Sequence, residues 1–114
     1  MIRSKLFNAE EQELLVYNQK AILNETIEFF TLDDCDDEET DFTFPGYVSS
    51  YFRIYNERLG TLIRDIVLSQ SGGSLVINAS VADMTFDPSG VYWYEIGYNN
   101  GYDIVLRYGP LQVI

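Results

Sequence analysis

From Tyr47 onward, apolar and polar positions alternate along the chain. Val48, Ser50, Phe52 and Ile54 interleave with Tyr47, Ser49, Tyr51, Arg53 and Tyr55, a period-two pattern rich in aromatic and β-branched residues that predicts a strand. Asn56 to Gly60 supplies turn chemistry, and Thr61 to Leu68 follows as a second strand with Leu62, Ile66 and Leu68 on one face. Ser69 to Gly73 reads as the next turn, and Ser74 to Ser80 as a strand with Leu75, Ile77 and Ala79 aligned. Val81 to Asp87 is then a connection whose Met84 and Phe86 plug the end of the core. Asp87-Pro88-Ser89-Gly90 is the strongest turn signal, because Pro presets its backbone angle and Gly accepts a positive one. It launches the aromatic strand Val91 to Tyr98, and Asn99-Asn100-Gly101 turns the chain back into Tyr102 to Tyr108. Gly109-Pro110 is expected to break that strand, with Leu111 to Ile114 bending or changing partner, since Pro cannot donate to a central ladder.

The first forty residues are less regular. Glu13 to Tyr17 and Thr26 to Leu32 suit strands, and Asn8 with Glu11 suits a cap for one short helical turn between Asn8 and Gln12. Seven to eight short strands punctuated by turn signals predict an all-β fold, an antiparallel sandwich in a single domain spanning residues 1–114. Phe29, Phe52, Ile54, Leu62, Ile66, Leu75, Ile77, Trp93, Ile104 and Leu106 are its expected core.

Composition changes this picture mainly through charge. The net charge is −11, from 18 acids against 7 cations. Seven of those acids fall between Asp33 and Asp41, so the other residues carry 7 cations against 11 acids, a balance of −4. The acidity is therefore largely one segment, read as a solvated, self-repelling loop at 33–41. Asp34, Asp36, Asp37, Glu39 and Asp41 are the candidate calcium ligands, since hard cations collect oxygen donors. The run lacks the Gly and the spacing of a calcium loop, so no metal and no cofactor is expected. The few cations argue against nucleic acid or an anionic membrane as a partner. No run approaches the roughly 20 apolar residues of a membrane helix, and the N-terminus does not read as a signal peptide.

Candidate chemistry is sparse. The chain has no His and one Cys, which removes imidazole acid/base catalysis, His-paired nucleophiles and an internal disulfide. Cys35 sits among carboxylates that raise a thiol pKa. Gly72-Gly73 has no Lys and opens a strand, so it is no phosphate loop, and no enzymatic activity is expected. The aromatic strand is the remaining concentration of unusual residues. Trp93 faces opposite to Tyr92 and Tyr94, and with Trp93 taken as core, Tyr92, Tyr94, Tyr98 and Tyr102 become the candidate interface residues.

Three segments carry a resemblance. Asp41 to Ile63 is similar to the "D-L-T-G-Y-x-V-x-x-x-I-R" strand and "D-G-x-L-I" hairpin of small immunoglobulin-like sandwich domains of tailed bacteriophages. Asp87 to Ile96 resembles their "P-x-G-x-Y-x-Y-D-I-x-L" segment, and Arg107 to Val113 their closing "x-x-G-x-x-x-V". The resemblance covers roughly residues 41 to 114, in matching order and spacing, while the acidic insert departs from the usual short connection. It implies an immunoglobulin-like sandwich and a structural virion protein, whether capsid-associated, fibre-anchoring or of the tail and baseplate. The implied partners are other virion proteins in a symmetric multi-copy assembly. The alternative is a carbohydrate or cell-surface recognition module, calcium-assisted at the acidic loop.

Overall fold

The structure, a computed structural model, describes residues 2–6, 12–19, 23–32, 38–45, 48–79, 86 and 89–114. They form nine strands: β1 (Ile2–Lys5), β2 (Leu15–Tyr17), β3 (Leu23–Leu32), β4 (Glu39–Asp41), β5 (Ser49–Tyr55), β6 (Leu62–Ser71), β7 (Ser74–Ala79), β8 (Gly90–Asn99) and β9 (Asp103–Val113). The fold is all-β, and no helix occurs among the described residues. Residues 8–11 of the expected helical turn, Met84, and residues 33–37 of the acidic segment lie outside them. The end of that segment is not a loop, because Glu39–Asp41 pairs antiparallel with Phe30–Leu32.

Hydrogen bonding links the strands in the order β1-β3-β7-β6-β5-β8-β9-β2, with β4 added to β3. β6 joins the two halves: Leu62–Leu68 pairs with β5, and Ser69–Ser71 pairs with β7. The expected turn at Ser69 to Gly73 therefore shrinks to Gly72-Gly73, and the residues before it extend the strand. By curling through β6, the sheet folds its halves onto one core. Ile27, Phe29, Leu75 and Ile77 from one half meet Phe52, Ile54, Tyr94, Ile96, Leu111 and Val113 from the other. The sheet is mixed and not purely antiparallel, because β1 runs parallel to β3 and β2 parallel to β9. Both parallel strands come from the N-terminal residues that carry the weakest periodicity.

Pairing decides which face of each strand is buried, and it corrects the expected core. Directly paired residues of antiparallel strands share a face. Tyr94 pairs with Ile54, Ile96 with Phe52 and Tyr98 with Ser50, so these residues turn into the central cluster, while Trp93 turns to the opposite face and is buried there, at 9% exposure, beside Tyr108 and Arg58. Leu62 is 44% exposed, because a register shift beside Tyr55 rotates the start of β6 onto the outer face. Ile66, Ile104 and Leu106 are half-buried at the core margin, while Phe86 is buried in it as expected.

Gly109-Pro110 does not break β9. Backbone groups alternate sides along a strand. The Tyr108 carbonyl accepts from Glu13 N–H (2.9 Å) and Ile114 N–H donates to the Tyr17 carbonyl (2.9 Å), so even-numbered residues of this stretch face β2. Pro110 shares their parity, and its missing N–H costs the ladder with β8 nothing. In the parallel ladder, though, the Glu13 carbonyl is left without the donor that residue 110 would supply.

Candidate interaction surface

That carbonyl is reached from the side. Tyr94 Oη donates to it at 2.5 Å, and Arg107 Nε donates to the same Tyr94 oxygen at 2.9 Å. Arg107 is itself buried, and its guanidinium lies 3.5 Å from the Glu13 carboxylate. A Cβ on Gly109 would collide with the Glu13 backbone, so Gly here lets the segment approach. The result is a polar clamp that fastens the N-terminal strand β2 to β9, with Tyr94 at its centre.

Burial pushes the Tyr94 hydroxyl up to about 12, against the opposing charge and hydrogen bond of Arg107. Burial also raises Tyr51 well above the ordinary phenol. A raised folded-state pKa means the native state holds the proton more tightly. That stability is complete below the unfolded value near 10 and is lost as pH rises towards 12. Tyr94 alone accounts for about 2–3 kcal/mol at this margin. Far-ultraviolet circular dichroism at increasing pH should show cooperative unfolding in that alkaline window, with tyrosinate absorbance rising in step; tyrosinate appearing while the fold persists would contradict it.

Of the four candidate tyrosines, Tyr94 and Tyr98 are core residues and Tyr92 is half-buried against Phe86, their ring centroids 4.8 Å apart. Only Tyr102, at the β8–β9 hairpin, is exposed, at 69%. A second set of aromatic residues lies on the other side of the sheet, with Tyr51 and Trp93 buried and Tyr55 and Tyr108 half-buried. Registers place Val67, Tyr51, Gly97 and Val105 in one band across β6, β5, β8 and β9. The next band is Asp65, Arg53, Glu95 and Tyr108, and the third is Leu62, Tyr55, Trp93 and Pro110. Val67 is 77% exposed; Val105, across β5 and β8 in the same band, and Leu62, in the third band, are exposed as well.

Arg53 organises the middle of this outer face. It bonds Asp103 at 2.6 Å, approaches Asp65 at 3.5 Å and lies 3.9 Å over the Tyr51 ring. Hydrogen bonds from Arg53 and from Asn99 hold the Asp103 carboxyl below its usual range. The Tyr51 hydroxyl is buried without a partner, and a Cβ at Gly97 would fall 2.8 Å from it. Trp93 stacks at a tilt on Tyr108, centroids 5.8 Å apart, with Arg58 5.4 Å over its ring. The sequence carried a signal for this surface in the run Tyr51, Arg53, Tyr55, which is the non-core phase of β5.

The calcium candidates are placed only in part. Asp34, Asp36 and Asp37 lie outside the described residues. Glu39 takes a two-pronged hydrogen bond from Arg3 (2.7 and 3.2 Å), which holds its carboxyl below the usual range. Asp41 is exposed and shares a shallow depression with Glu28, Gly73 and Ser74. Among the described residues no three acids or thiols converge on one point.

No family model and no curated protein matches the chain. Among solved structures it resembles the N-terminal domain of phage TP901-1 ORF48, with a TM-score of 0.55, 13% identity, and coverage of 99% of this chain and 98% of that one. The chain therefore shares its whole fold with a domain of a phage protein.

Proposed function

We propose that the chain is a structural component of a tailed-phage virion and acts through protein–protein contacts, without catalysis of its own. The observation that carries this reading is the fold shared end to end with the N-terminal domain of phage TP901-1 ORF48. The outer face supports it, because exposed Val67, Val105 and Leu62 and the half-buried side chains of Arg53, Tyr55 and Tyr108 offer a broad contact area, packed on the buried rings of Tyr51 and Trp93. Recognition of sugar by the tyrosines of β8 gains no such support, since the rings of Tyr94 and Tyr98 are in the core. The proposed site of action is the assembled particle, in a capsid-associated, fibre-anchoring or tail and baseplate position, among other virion proteins in symmetric multiple copies. Mass spectrometry of gradient-purified particles should find the chain in fixed ratio to the major virion proteins. Its consistent absence from them would overturn the proposal.

A further inference from the structure

The geometry points to a specific use of the outer face of β6, β5, β8 and β9: two copies of the chain associate through it, face to face, about a two-fold axis parallel to the strands between β5 and β8. This deepens the structural-protein reading and rests on it for its biological meaning. Charge is the first argument. On a chain of net −11, copies repel, yet this face sets Arg53 and Arg58 against Asp65, Glu95 and Asp103, a balance of only −1.

Self-complementarity is the second. A two-fold contact must match a surface to itself. Arg53 and Glu95 are directly opposite on β5 and β8, so an axis between those strands lays Arg53 of each copy on Glu95 of the other. The same operation sets Val67 against the second copy's Val105, both exposed, and Tyr55 over its Trp93 position, where the indole, only 9% exposed, already lies under Arg58 and Tyr108. The charged band meets the charged band, and apolar bands meet apolar ones. Four strands ~4.8 Å apart and about seven residues long give roughly 450 Å² of projected face on each copy. That is the area of a weak interface, which becomes firm only where copies are held at high local concentration, as in a symmetric particle.

Sedimentation velocity of the full chain, from micromolar to near-millimolar concentration, should show the mass rising from 13.1 kDa towards twice that value. Val67→Lys and Val105→Lys, both at exposed positions, should each weaken association at least tenfold with the circular dichroism spectrum and Tm retained. Asn78→Lys, exposed on β7 in the other half of the sheet, should associate like the parent and excludes a general charge effect. Wild-type chain that stays monomeric throughout, or a Val67→Lys chain that associates normally, overturns the proposal. A monomer whose Val67→Lys variant is lost from particles also overturns it, assigning the face to a different virion protein. Each of these leaves the virion role standing, whereas a dimer absent from purified particles defeats the virion role alone.

Discussion

Replacing Tyr94 by Phe is expected to destabilise the fold by about 2–4 kcal/mol, although it removes one oxygen and almost no volume. That oxygen serves two partners: it donates to the Glu13 carbonyl and accepts from Arg107 Nε. Each buried or partly buried group left unpaired costs on the order of 1–3 kcal/mol. The explanation makes a sharper demand. Glu13 depends on Tyr94 because Pro110 has no N–H, so Pro110→Ala should recover on the order of 1 kcal/mol in the Tyr94→Phe background and little in the parent. Urea unfolding of the four proteins measures the coupling, and strictly additive effects would refute the clamp. Arg107→Met should cost less than Tyr94→Phe, because it removes the buried charge together with its need for a partner.

Phe52→Ala should be more severe, at about 3–5 kcal/mol. Phe52 is fully buried, packs on the Tyr94 ring with centroids 5.9 Å apart, and pairs with Ile66 on one side and Ile96 on the other. It lies where the two halves of the curled sheet meet, so neighbouring side chains cannot close the space without moving strands that are hydrogen-bonded elsewhere. Domains of this size have total stabilities of roughly 5–15 kcal/mol, so the variant should lose much of its margin. Thermal unfolding followed by circular dichroism decides it; a Tm within a few degrees of the parent would mean that the core relaxes around the cavity.

The strands were largely legible. β5, β7 and β8 lie within about two residues of their expected limits because alternation and turn residues are local properties. The N-terminal strands were harder, since β3 begins at Leu23, three residues ahead of the apolar-patterned stretch, and β4 grows out of a run of acids. The candidate surface was harder still. Alternation divides β8 into a Trp93 side and a Tyr94 side, but it does not say which side joins the central cluster; Trp93 is buried as expected, yet Tyr94 and Tyr98 on the other side are buried too. The decision belongs to β5, whose Phe52 and Ile54 carry their β8 partners into the core. Arg107, inside the expected strand Tyr102 to Tyr108 and not singled out by any local signal, is buried where Tyr94 and Glu13 meet it.

The sequence by itself determined an all-β chain, the places where its main strands turn, and the concentration of its charge in one short acidic segment, because each depends on residues near one another along the chain. Only the tertiary structure decided the inward face of β8, the parallel docking of β1 and β2, and the passage of β9 through Gly109-Pro110. Those outcomes depend on hydrogen bonds between residues far apart in sequence: Tyr94 meets Glu13 only after β2 has been laid beside β9, and nothing local to either residue announces the other.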